Sequence, residues 1–357
     1  MTIPPGPPYG YGYGYPPPPP PPQPGVIPLA PLGLGAVLSG AFSAFGRHWK
    51  QLIGVTAAVY GSALLLVAAA LLIAYAAVSD RFPAVFDLPA GQDPQWVDLR
   101  PLIIAFTCVW VVGLLAALGA NAVMAAACPA VIQEAVLGRP TTFGALWRRS
   151  WSRMPAVLGT VLLTSVALML PVVLFLLAFF GLFLALLTDL GDLDGTPLEG
   201  DWSLPATAAM LLALLVTPLA LWIWIKFSLA PAAAVMEGQG VFASMRRSSA
   251  LIRGSWWRVF GILLLVGLIT TVASWLIQQL LSTVAWIPMA GVGFTGGDAA
   301  ALITGLSVTF TLVIIGQLIS QLIVSVFPPL VTALLYVDQR IRKENLAPEL
   351  ARAAGLA

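Results

Sequence analysis

Charge is scarce in this chain, so the residues able to do chemistry can be followed one by one. Of 357 residues only 9% are charged and 59% are apolar, against a charged share of roughly 25% in soluble proteins. Three acids stand out by context. Glu134 follows Cys128-Pro129, Glu237 follows Ala230-Pro231, and Asp338 follows Phe327-Pro328-Pro329. Each closes a long apolar stretch, and at a helix C-terminus the helix dipole disfavours negative charge. These carboxylates therefore need cations. The nearest in sequence are Arg148 or Arg149 for Glu134, Arg246 or Arg247 for Glu237, and Arg342 for Asp338. The expected arrangement is a set of structural charge clamps. A proton or ion relay is the competing chemistry, but it calls for ionisable groups at mid-depth rather than at the edge of an apolar layer.

The cations cluster in a basic, aromatic elbow that occurs three times. The clearest copy runs from Arg246-Arg247-Ser248 through Ile252-Arg253-Gly254-Ser255-Trp256-Trp257-Arg258 to Gly261. A second spans Phe143 to Gly159, built on Trp147-Arg148-Arg149-Ser150-Trp151 and Arg153, and a weaker third spans Phe42 to Gly54 with Arg47-His48-Trp49-Lys50. Read as a helix from Val241, the clearest elbow sets Phe242, Met245, Ile252 and Trp256 on one side, with Arg246 and Arg253 flanking them. Before the first span, Leu34, Val37, Leu38, Ala41, Phe42 and Phe45 are expected to face lipid from an interfacial helix. Arg148, Arg149, Arg153, Arg246, Arg247, Arg253 and Arg258 are thus candidate contacts for anionic phospholipid headgroups, each gaining about 1 kcal/mol near such a surface. The plainer reading is a set of topology signals with a tryptophan belt.

Within the apolar stretches Asn121, Lys226, Gln317 and Gln321 are the candidate lining of a polar cavity. Alternatively Asn121 and the glutamines tie helices together by hydrogen bonds, and Lys226 snorkels to the interface. Other chemistry has no residues to carry it. His48 is the single histidine, which leaves no triad and no histidine-based metal site. Cys108 and Cys128 lie 20 residues apart on one expected helix, about 30 Å at 1.5 Å per residue. They can neither pair nor share a metal, and both read as buried small side chains. No phosphate-cradling loop and no nucleic-acid module is present. No enzyme activity, cofactor or metal is expected.

These residues must be positioned by membrane-length helices. Apolar runs of the ~20 residues needed to cross a bilayer core fall at about 52–78, 101–137, 156–187, 206–236, 257–284 and 300–337. Lys and Arg alternate between the connections. Fourteen fall on one side and only Arg81 and Arg100 on the other, which by the positive-inside rule makes both termini cytoplasmic. The other side carries acids, including Asp80, Asp87, Asp93, Asp98, Asp189, Asp192, Asp194, Glu199, Asp201 and Asp298. No cleavable signal peptide is expected. Residues 1–25 read as a disordered cytoplasmic tail rich in Pro, Tyr and Gly, suited to recruiting a protein partner through polyproline. Residues 26–343 form the membrane domain and 344–357 a short cytoplasmic tail. The expected fold class is all-α integral membrane. Its six transmembrane helices form three elbow-plus-hairpin repeats at roughly 100-residue spacing, with the even-numbered helices kinked at their prolines.

Three stretches carry a family likeness: Pro31-Leu32-Gly33-Leu34-Gly35, Met245-Arg246-Arg247-Ser248 with Ile252 to Leu264, and Leu334-Leu335-Tyr336-Val337-Asp338-Gln339-Arg340-Ile341-Arg342-Lys343-Glu344. Over about residues 26–355 the chain resembles actinobacterial multi-pass proteins with a glycerophosphoryl diester phosphodiesterase membrane domain. The resemblance implies fold and a bacterial inner-membrane location, but not phosphodiesterase activity. In that family the activity belongs to a separate barrel needing His, Glu and Asp sets that this chain lacks. The function expected is a non-enzymatic membrane scaffold that organises lipid or protein partners. The alternative is a small transporter or lipid-handling permease with a cavity between the repeats.

Overall fold

The computed structural model describes residues 25–82, 85, 95–191, 203–295 and 299–353. Among these the chain is all-α, with no strand. Helix α1 (Leu34–Val78) ends in a short 3-10 turn (Ser79–Arg81) and is followed by α2 (Trp96–Val136), α3 (Phe143–Gly191) and α4 (Ser203–Phe227). Next come α5 (Ala230–Met236), α6 (Val241–Ile252), α7 (Trp256–Thr295), α8 (Ala299–Glu344) and α9 (Ala347–Ala353). With α4 and α5 counted as one, six helices are long and apolar enough to cross a membrane. A helix is suited to that task because it satisfies its backbone polar groups internally. Residues 1–24 and the acids Asp87, Asp93, Asp192, Asp194, Glu199, Asp201 and Asp298 lie outside the described residues.

The elbows differ from one another. In α1 and α3 the elbow and the apolar stretch form one helix, and α1 departs from helical geometry at His48 (φ −120°, ψ 23°). The clearest elbow, whose helical part is α6, is a separate helix. It ends at Arg253-Gly254-Ser255, where Gly254 takes φ +82°. At the prolines where kinks are expected, two of the three even stretches remain helical. α2 continues through Pro129, and α8 through Pro328 and Pro329. The interruption among the even stretches lies at Ser228-Leu229, just before Pro231 takes an N-terminal position of α5, where its missing N–H costs nothing.

Packing explains where the molecule is rigid. α1 pairs with α2, α3 with α4, and α7 with α8. These hairpins meet at the end of the bundle that carries the elbows, here termed the basic end. There α2, α5 and α8 come together through Ala126, Ala127, Ala130, Ala233, Ala234, Leu334 and neighbouring buried side chains. Alanine lets helix backbones approach closely, which suits association in an apolar medium. Away from this core, at most 24% of the most apolar window of any crossing helix is buried. Side chains such as Leu65, Leu72, Phe106 and Leu215 are exposed on the helix surfaces.

Several expected placements are corrected by this core. Val37 and Ala41, expected to face lipid, are fully buried, while Leu34 and Phe42 are exposed. Ile252, expected on one side of its elbow with Phe242, is buried while Phe242 is exposed. Cys128 is buried but Cys108 is exposed, because α2 joins the core only with its second half.

Candidate functional site

The acids after the prolines find partners at the basic end, and the structure selects among the alternatives. Glu134 pairs with Arg149 (3.3 Å), whose guanidinium also donates to Gln133 (2.5 Å). Glu237 accepts two nitrogens of Arg247 (2.9 and 3.0 Å) and the hydroxyl of the buried Tyr336. Glu344 from the end of α8 then bridges Arg247 (2.5 Å) and Arg340 (2.9 Å). Burial disfavours the charge on Arg247, but its hydrogen bonds to Glu344 and Glu237 outweigh this and raise its pKa, so it stays cationic at any working pH.

Asp338 is fully buried and does more than pair with Arg342 (2.9 Å). It also binds Arg258 (2.6 Å), and it accepts the backbone N–H of Leu32 (2.8 Å). Arg258 and Arg342 in turn donate to the Leu32 carbonyl at 2.6 and 2.8 Å. The segment before α1 is thereby strapped across the basic end. At its other end Val26 N–H donates to the Ala135 carbonyl (3.2 Å), and Ile27 and Leu32 are buried. A Cβ on Gly25 would overlap the carbonyl of Ala135, so the approach of the strap to α2 requires glycine.

These clamps sort the candidate lipid contacts. Arg149, Arg247 and Arg258 are held by acids, and Arg153 by the Gly238 carbonyl (3.1 Å). Among the described residues the side chains of Arg148, Arg246 and Arg253 are exposed, with no ion pair or hydrogen bond.

Arg246 has unexpected company. Lys226, in the last turn of α4, lines the same ≈ 510 Å³ cleft. Its Nζ sits over the Trp222 ring at 4.5 Å. Ser249 adds a hydroxyl, and Leu163, Ile223, Phe227, Phe242 and Met245 supply apolar walls. The sequence reading takes Lys226 to a polar cavity or to the interface by snorkelling, and does not join it to the elbow. The available signal was its position near the end of an apolar stretch, level with the following elbow.

The four candidate cavity residues are not brought together. Asn121 accepts a hydrogen bond from the Tyr60 hydroxyl (3.0 Å), and Gln321 and Ser325 approach that hydroxyl from α8. This polar node joins α1, α2 and α8. Gln317 is exposed elsewhere on α8, and Lys226 lies in the cleft just described. A larger cleft of ≈ 770 Å³ opens between the far ends of α1 and α2, walled by side chains such as Ile73, Trp96 and Ile104, with Arg100 its one charge. Among the described residues no group of three or more His, Cys, Asp or Glu could hold a metal.

The packing, clamps and helix lengths define the class: an all-α protein of six membrane-length helices welded at one end. A family described as a domain of unknown function, DUF7847, matches residues 32–338, and the chain belongs to that family. No curated protein and no solved structure matches it.

Proposed function

We propose that this is a non-enzymatic scaffold of a bacterial inner (plasma) membrane, which organises lipid and protein partners. Both termini are cytoplasmic, because the basic end collects fifteen of the seventeen Lys and Arg residues, Lys226 included, and positive charge is retained on that side. The likeness to membrane domains of glycerophosphoryl diester phosphodiesterases extends to location and fold, with no barrel and no phosphodiester chemistry. Three elbow-plus-hairpin repeats underlie the architecture. Their support is the recurrence of proline, acid and elbow arginine, together with left-handed residues after the even stretches at Gly138 (φ +71°), Gly238 (φ +69°) and Asn345 (φ +55°).

The observation that carries the scaffold reading is the separation of a buried core at the basic end from helix surfaces that remain open to lipid. Such a molecule presents large lateral faces to the bilayer and a rigid platform at the cytoplasmic surface. On this reading the proline-rich residues 1–24 recruit a partner there. Crosslinking and co-purification from native membranes, with and without residues 1–24, test this. A discrete partner lost on deletion is expected. The same crosslinked set from both chains counts against recruitment by the tail.

The polar node at Tyr60, Asn121 and Gln321 supports a second reading, a permease that moves a small solute or lipid between α1, α2 and α8. The Tyr60 hydroxyl is bonded to Asn121 across α1 and α2, which favours helix adhesion.

A further inference from the structure

We propose that the Lys226–Arg246 cleft is a specific site for one anionic phospholipid per chain. It would bind the phosphate between the two cations and lay an acyl chain along the apolar wall. The inference deepens the scaffold reading and rests on it, since it requires the basic end to lie at headgroup level.

Three observations converge on it. First, the cations are available. The other elbow cations that face neighbouring elements are consumed by Glu134, Glu237, Asp338 or the Gly238 carbonyl. Lys226 and Arg246 have no carboxylate within ion-pair distance among the described residues, and none lines their cleft. Two unpaired cations that line one cleft disfavour each other, and an anion between them offsets that cost. Second, the cleft is amphipathic in the sense a phospholipid needs. Lys226 and Arg246 supply donors, while Leu163, Ile223 and Phe242 form apolar walls; the Ser249 hydroxyl donates to the Arg246 carbonyl (2.9 Å). Phe242 is 79% exposed, a large ring with no protein to cover it. A soluble phosphate would leave that wall unused. Third, the site has an internal control. The cleft in the corresponding place between the first hairpin and the second elbow is of similar size, ≈ 450 Å³. It is lined by Trp147, Trp151, Met154 and apolar neighbours, with no charged side chain. Five residues before the proline, the position of Lys226 before Pro231, stand Met124 before Pro129 and Ile323 before Pro328. A second cleft between the first hairpin and the second elbow, ≈ 430 Å³, carries Arg148 and Arg149 but also Glu134, so a pair of cations with no carboxylate among the lining residues sets the Lys226–Arg246 cleft apart from both.

The test is native mass spectrometry of the full chain in mild detergent, titrated with phosphatidylglycerol and, separately, phosphatidylcholine. One phosphatidylglycerol should bind preferentially, and glycerol phosphate, which lacks acyl chains, should not displace it. Lys226→Gln with Arg246→Gln should weaken that first binding by roughly tenfold or more, while Arg148→Gln, which removes an equally exposed elbow cation, should leave it unchanged. Lys226→Arg with Arg246→Lys should retain it. Unfolding temperatures in detergent establish that the variants are folded, and each single Gln variant repeats the measurement if the double variant is not. Undiminished binding in the Gln variants, equal loss in Arg148→Gln, or displacement by glycerol phosphate would each overturn the site. If partner crosslinks persist in such a result, only the lipid site falls; if the crosslinks are absent from the wild-type chain, the scaffold reading falls.

Discussion

Asp338 and Glu134 look alike in sequence, each a lone acid a few residues after a proline, but their surroundings give them different energetic weight. Asp338 has no exposed side-chain surface and serves two arginines and a backbone N–H. Removing its charge leaves Arg258 and Arg342 facing each other, and breaking such a buried arrangement costs about 3–5 kcal/mol. Glu134 and Arg149 remain 24% and 39% exposed, where an ion pair contributes only about 0–1 kcal/mol. Asp338→Asn should therefore lower the unfolding temperature sharply and open residues 26–33 to limited proteolysis, whereas Glu134→Gln should do neither. Equal effects in the two variants would contradict the assigned roles. The Glu134 and Glu237 clamps were legible in the sequence because acid and arginine lie 10 to 15 residues apart. The bonds from Asp338 to Arg258 and Leu32 span 80 and 306 residues, and no local pattern announces a contact of that separation.

At the scale of elements, helix ends matter more than the proline positions from which bends were expected. A proline inside a helix loses one hydrogen bond, yet neighbouring helices can hold the chain helical through it, as at Pro129 and Pro328-Pro329. The turns after α2, α5 and α8 use Gly138, Gly238 and Asn345 in the left-handed region, the residue types that tolerate it best. Gly238 is the most constrained, since an added Cβ would lie 2.9 Å from Arg153 Nη2. Gly238→Ala should destabilise by about 1–2 kcal/mol from backbone strain and shift Arg153 from the Gly238 carbonyl. Asn345→Gly should be close to neutral. Thermal unfolding of the pair measures the difference, and a neutral Gly238→Ala would refute the strain argument. Lys343 adds a further terminus device, donating to the Arg253 carbonyl (2.5 Å) where α6 ends.

For the whole molecule, hydropathy located the crossing helices but could not tell lipid-facing from protein-facing surface, because both are apolar. The better signal was residue size. Alanine-rich runs such as Ala125-Ala126-Ala127 and Ala232-Ala233-Ala234 fall where α2, α5 and α8 converge, while Leu- and Phe-rich stretches face outward. Leu334 is fully buried and Leu65 is 73% exposed. Leu334→Ala should cost about 2–5 kcal/mol through the cavity it leaves, and Leu65→Ala should fall within about 0.5 kcal/mol of wild type. Comparable losses at the two sites, read by unfolding in the same detergent, would mean that the hairpins pack along their full length.

The strap at Leu32 has a consequence for how the protein is made. Its acceptor, Asp338, is translated 306 residues later, so a nascent chain holds residues 26–32 without their final partner until the last crossing helix is in place. The first part of the membrane domain to leave the ribosome is thus among the last to be secured. A chain stopped before α8 is complete carries that segment loose at the membrane surface, open to a quality-control protease that the finished molecule conceals.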